Sequence, residues 1–242
     1  MDKLYKPQEY VKMLYSIKNN LITYYGYGAC GAPADYKYVN RSYEDNRQRY
    51  GVPYAPAGSF IFDCAGFAYK AIPWGFCGDH NKCYGGATWP AKGAPLSELD
   101  TNDILSICTD VSEDFANVQP AEVLYIPGHV GIYVGNGLAL ECTSGWNENK
   151  VIETQVLNVN NFVTQKYARS WQKHGKLPFI DYESNAQPVD PEYIANELEA
   201  AIRCLDSALY EMSALEGILE DLSTQIINLK GVVLNENGRN EH

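Results

Sequence analysis

From Leu198 to Leu229 apolar side chains return at every seventh position on two rows. Leu198, Leu205, Met212, Leu219 and Ile226 form one row, and Ala201, Ala208, Leu215, Leu222 and Leu229 form the other. Five successive heptads predict an amphipathic helix with a continuous apolar seam. Such a seam must be covered, so the helix has to pair with a second copy, fold back on itself or pack on the rest of the chain. Self-association through residues 190–230 is the expected outcome. Gly217 permits a bend or hairpin within the stripe, and the polar NENGRNEH after Leu234 reads as a frayed end.

Charge divides the chain at the same place. Of 30 acidic and 19 basic residues, 12 acidic and 3 basic ones lie from Glu183 onward. The stretch DYESNAQPVDPEY reads as a linker, with Asp190 as helix N-cap and Pro191 at the first helical position. The predicted organisation is a folded domain over 1–182, a linker over 183–190 and an acidic, coiled-coil-like helical region over 191–242. A net charge of −11 opposes binding to nucleic acid or to an anionic membrane, and neither is an expected partner. No run approaches the roughly 18 apolar residues of a membrane helix, and the opening MDKLYKPQEYVKMLYSIKNN has no apolar core with a small-residue cleavage site. The expectation is no signal peptide and a cytoplasmic location. Seven cysteines, an odd number scattered through a chain of this length, read as reduced thiols. Cys77, His80 and Cys83 lack a second ligand pair at zinc-site spacing, so neither metal nor cofactor is expected.

The first 182 residues have an α+β texture. An amphipathic helix is predicted around Pro7 to Asn19, and a loop-rich insertion around Trp74 to Leu99. Strands are predicted at VLYIP (123–127), HVGIYVG (129–135) and LALECT (138–143), joined as a short antiparallel meander through a GNG turn.

Within this domain two residues stand in settings suited to nucleophilic catalysis. Cys64, in SFIFDCAGFAYKAI, follows a strand-like run and opens a helical pattern. Backbone N–H groups at a helix start and a nearby imidazole would favour its thiolate; a small core residue is the alternative. His129 opens a strand after a PG turn, at a cleft or as a structural histidine, whereas His174 in WQKHGK reads as exposed. Glu141 lies twelve residues after His129, where a strand, a turn and a returning strand set both on one face of a hairpin. A carboxylate in that apolar strand needs a partner, unless the strand is an edge and Glu141 faces solvent.

These residues fall in motifs that resemble the NlpC/p-sixty family of cell-wall cysteine peptidases: TYYGYGACGAP (23–33), DCAGF (63–67), GHVGIYVGNG (128–137) and a polar residue on the following strand. The segments WGFCGDHNKCYGGATWPA and RSWQKHGKLPFIDY are similar to endolysins of phages that infect Firmicutes. The resemblance implies a papain-like domain, an antiparallel sheet packed on helices, with Cys64 as nucleophile, His129 as base and Glu141 orienting it. It aligns Tyr25 with a family tyrosine at the oxyanion, where one more packed aromatic is the alternative. Ala65 stands where the family usually has serine, and Glu141 where it usually has His, Asn or Gln. The implied activity is hydrolysis of a peptidoglycan stem amide, as a D-γ-glutamyl-diamino acid endopeptidase. The alternatives are N-acetylmuramoyl-L-alanine amidase action, or a non-hydrolytic papain-like binding or structural role. An endolysin would wait in the cytoplasm of the infected host until released to act at the wall.

Overall fold

The computed structural model describes residues 4–34, 55–94, 96–159, 163 and 165–183, and beyond them 215, 217, 219, 222–224 and 226. The chain divides into two compact units, Met1–Ala186 and Gln187–His242. In the second unit the described residues are helical, and Leu215, Leu219, Leu222 and Ile226 are exposed. The predicted linker beyond Glu183 and the other heptad positions lie outside the described residues.

The first unit opens with helix α1, Pro7–Asn20. Proline at its first position costs no hydrogen bond, and the Glu9 carboxylate accepts the Lys6 N–H at 3.1 Å, the half of a capping box that a lysine at the cap allows. Tyr10, Leu14 and Ile17, spaced for one helical face, are buried. The Tyr10 hydroxyl donates to Ala68 O at 2.7 Å, which ties α1 to the segment carrying Cys64.

A three-stranded sheet holds β1 (Ile22–Tyr25), β2 (Cys30–Pro33) and β3 (Ser59–Phe62) in the order β1-β3-β2. A seven-stranded sheet comprises β4 (Thr109–Ser112), β5 (Val123–Ile126), β6 (His129–Gly135), β7 (Leu138–Thr143), β8 (Lys150–Val156), β9 (Ala168–Arg169) and β10 (Lys173–Lys176). Its order is β4-β10-β5-β6-β7-β8-β9. The predicted meander is present as β5, β6 and β7, paired antiparallel. The expected all-antiparallel arrangement does not hold, because β1 runs parallel to β3 and β8 parallel to β9. Connections far longer than a hairpin turn separate both pairs, 11 residues in the case of β8 and β9, and such a crossover is what permits parallel pairing. The architecture is a mixed-sheet α+β fold with few helices. Described residues of the Trp74 to Leu99 insertion form turns and one short 3₁₀ turn, Cys83–Gly86.

Phe60, Phe62, Phe67, Tyr69, Ile132, Leu140 and Phe179 are fully buried in one core, to which β3, the segment after it, β6 and β7 all contribute. His174 is buried rather than exposed. Strand β10 lies between β4 and β5, so its alternation turns His174 inward, and the ring bonds Asp114 O at 2.8 Å and the Glu122 carboxylate. The flanking lysines that made WQKHGK look solvated reach Glu113 and Asp110 at the rim.

Gly66 sits where the segment after β3 crosses the backbone of Ala29. A Cβ there would lie 2.1 Å from Ala29 O, an atom that also accepts the Asp63 N–H at 2.8 Å and cannot retreat without breaking that bond. Gly66→Ala is therefore expected to cost about 1–3 kcal/mol by overpacking. Urea denaturation checks this, and a midpoint equal to wild type would show that the crossing relaxes freely.

Candidate active site

Strand β3 is buried along its whole length and delivers the chain to Asp63 and Cys64 inside the core. Cys64 and Ala65 are helical and lead into a π-helical turn, Gly66–Lys70. Asp63 organises this start: Oδ1 accepts the Gly66 N–H and Oδ2 accepts the Gly28 N–H at 2.8 Å. One carboxylate thus caps the turn that presents Cys64 and clamps the TYYGYG segment beside it.

The Cys64 side chain is buried. Burial pushes its thiol up to about 12, and the Asp63 charge adds to the rise against the backbone N–H groups of Val130, Ala65 and Cys64. The amides at the helix start act towards the expected thiolate, and burial acts against it. Desolvation of the charged form thus outweighs the amide dipoles at Cys64. The Val130 amide that meets the sulfur belongs to the residue next to His129, so the thiol lies at the entrance to β6.

His129 begins β6 after a turn at Gly128, whose φ of 78° suits glycine. Its Nε2 lies 2.6 Å from Glu141 Oε2. Extending the β6–β7 register sets Gly131 opposite Glu141, which makes His129 and Glu141 diagonal neighbours on one face. Trp171 stacks on the imidazole with centroids 5.8 Å apart and planes inclined by 15°. Gly131 makes room for it, since a Cβ there would lie 2.9 Å from the Trp171 ring.

Glu141 has no solvent exposure. It sits on β7 between β6 and β8, which removes the reading of an edge-strand carboxylate facing water. Besides His129, it accepts Thr154 Oγ1 at 2.8 Å on Oε1. Arg169 donates from Nε to both oxygens at 3.1 Å and from Nη2 to Oε2 at 2.9 Å. Burial acts to raise the Glu141 carboxyl, but His129 and Arg169 outweigh it and hold the group below the usual carboxylate range.

Tyr25 faces the main core while its neighbour Tyr24 packs with Ala29 and Ile61 on the other face of β1, and Tyr27 is exposed. Burial raises the Tyr25 hydroxyl, and Cys64 is the first charge to add to that rise. Tyr25 thus keeps its hydroxyl proton in the core that also holds Cys64. The structure brings Cys64, His129, Glu141 and Tyr25 into one neighbourhood; Thr154, Arg169 and Trp171 join them without having been singled out in the sequence. A buried carboxylate asks for a cation, but nothing local marks Arg169, 28 residues away on a two-residue strand.

Cys77 donates to Gly85 O at 3.4 Å, and the His80 ring packs against Phe60. Among the described residues no group of three or more His, Cys, Asp or Glu side chains is arranged to hold a metal ion.

Among solved structures the chain is similar to NlpC1 from Trichomonas vaginalis, with TM-score 0.36 and 16% identity over 71% of this chain and 44% of that one. It is similar also to NlpC2 from Trichomonas vaginalis, with TM-score 0.36 and 15% identity over 73% of this chain and 48% of that one. The chain spans less than half the length of either protein. No protein-family model and no curated protein matches it.

Glu141 titrates below its ordinary value of 4.5, so its contribution to stability is fully present above that pH and is lost as pH falls through the depressed value. Glu141→Gln is expected to cost about 1–3 kcal/mol at neutral pH, because it removes the charge that the partly buried Arg169 guanidinium and the His129 ring bond in the sheet interior. The gap between wild type and variant should narrow as urea titrations descend below pH 4.5. A gap independent of pH would mean that the carboxylate charge contributes nothing.

Proposed function

We propose that the chain is a cysteine peptidase of the papain-like type that hydrolyses an amide bond of the peptidoglycan stem peptide, acting as an endolysin on the D-γ-glutamyl-diamino acid bond. One observation carries the chemistry: the 2.6 Å contact of His129 Nε2 with the fully buried Glu141, at the strand entrance where the Val130 amide meets the Cys64 sulfur. The substrate class rests on the four sequence motifs that resemble cell-wall peptidases.

The protonation states follow from the contacts. An ionised Glu141 only accepts hydrogen bonds, so the neutral imidazole carries its proton on Nε2 and leaves the Nδ1 lone pair as the base. As the thiol of Cys64 attacks the carbonyl carbon, its proton passes to Nδ1, and the imidazolium formed is stabilised by Glu141. The oxyanion is received by the Cys64 backbone N–H and the Tyr25 hydroxyl. His129 then protonates the departing amine, the C–N bond breaks and a thioester remains. In the second step Nδ1 takes a proton from water, hydroxide attacks the thioester, and the carboxylic acid leaves as Cys64 recovers its proton. A resting thiol pushed up to about 12 suits this order, with proton transfer accompanying attack.

Purified Gram-positive sacculi test the reading. Wild type is expected to clear the suspension, while Cys64→Ala, folded by circular dichroism, loses activity by at least about 10³-fold. Clearing by the alanine variant would overturn the assignment. Mass spectrometry of the fragments identifies the bond: cleavage inside the stem supports the endopeptidase, and stems beginning at L-alanine would make the protein an amidase instead.

The second unit supports a separate proposal, that the heptad stripe joins copies of the chain through residues 190–230. Four of its apolar residues, Leu215, Leu219, Leu222 and Ile226, are helical and exposed. Light scattering of the full chain and of a chain ending at Asp181 is expected to give a multiple of the monomer mass only for the former. Monomers in both cases would exclude self-association.

A further inference from the structure

We propose that Arg169 is a positioning residue of this site: its guanidinium holds both oxygens of Glu141 and so fixes the direction in which the carboxylate receives the His129 Nε2–H. The inference rests on the peptidase reading and deepens it. Three strands converge on one carboxylate, with His129 from β6, Thr154 from β8 and Arg169 from β9. Thr154 and Arg169 Nε occupy Oε1, while Arg169 Nε, its Nη2 and His129 share Oε2. A carboxylate bonded on these sides cannot rotate, and the imidazole that hangs from it keeps one orientation.

The charges lead to the same place. Around Glu141 the titratable or permanently charged groups are His129, Arg169 and its own neighbour Cys142, whose thiol also feels Asp63 and Cys64. His129 changes charge during the reaction, so it is not a constant cation for a carboxylate with no solvent exposure. Arg169 supplies the permanent cation, since a guanidinium stays protonated throughout. It is itself held in place: the Trp146 ring lies 4.7 Å from the guanidinium carbon and the Trp171 ring 5.5 Å from it. Trp171 also stacks on His129, so one indole aligns both partners of the carboxylate. A lysine could match the charge but neither the two-oxygen grip nor the stacking.

The experiment uses the full chain and soluble stem-peptide fragments as substrate. Arg169→Met is expected to lower kcat on the order of tenfold to a hundredfold with little change in KM, and to move the acid limb of the pH profile upward, because Glu141 then protonates sooner. Arg169→Lys should keep the acid limb near that of wild type yet still lose rate. In a Glu141→Gln background, Arg169→Met should no longer move the limb. Carbon-13 titration of the Glu141 carboxyl, which needs no turnover, is expected to move upward in Arg169→Met. An unmoved acid limb together with an unmoved Glu141 titration in folded Arg169→Met would overturn the proposal. So would a rate loss that only follows the unfolded fraction. A wild type inert on every substrate would defeat the peptidase reading instead, leaving the carboxyl titration to decide the Arg169–Glu141 coupling by itself.

Discussion

A carboxylate shut off from water is among the most expensive groups a protein can bury, at several kcal/mol unless charges and hydrogen bonds replace its hydration. Glu141 is such a group, and much of the seven-stranded sheet is arranged around its needs. Strand β6 brings the imidazole, β8 a hydroxyl and β9 a guanidinium, and Trp171 beyond β9 closes the stack. Strand β9 is only two residues long, and its arginine is what it contributes to the carboxylate. Its parallel pairing to β8, which looks irregular in an otherwise antiparallel sheet, carries the cation to Glu141.

A second carboxylate does the corresponding work beside Cys64. Asp63 binds the Gly66 amide on its own segment and the Gly28 amide on the segment carrying Tyr25. The two glycine contacts at Gly66 and Gly131 are of one kind: each is a place where a side chain would collide with a group held against Asp63 or His129. At Gly66 that group is the Ala29 carbonyl, and at Gly131 it is the indole resting on His129. Gly66 of DCAGF and Gly131 of GHVG are therefore requirements of close approach, whereas Gly128, at φ 78° with open space beside it, answers to the turn.

Burial also sets the resting chemistry. The same enclosure that makes the hydrogen bonds to Glu141 strong withholds solvation from the Cys64 sulfur, and the nearby Asp63 charge opposes ionisation further. Amide dipoles at a short helix start do not reverse this, because desolvation acts on the full charge of the thiolate and the dipoles only on part of it. The upward push on the thiol is a consequence of how deep the core reaches at this point.

What the sequence determined by itself was local and periodic. The turn between β6 and β7, the alternation along both strands and the apolar run before Cys64 are short-range properties, and they were enough to set His129 and Glu141 on one face. Helix α1 was legible from its amphipathic apolar spacing for the same reason. What only the tertiary structure decided involves residues far apart in the chain: the parallel pairings, the inward turn of His174 between two strands, the balance of burial at Cys64, and Arg169. A buried carboxylate announces that it needs a cation, but the sequence does not say which one. That choice depends on long connections that bring one strand edge to another, and no local spacing encodes where they end.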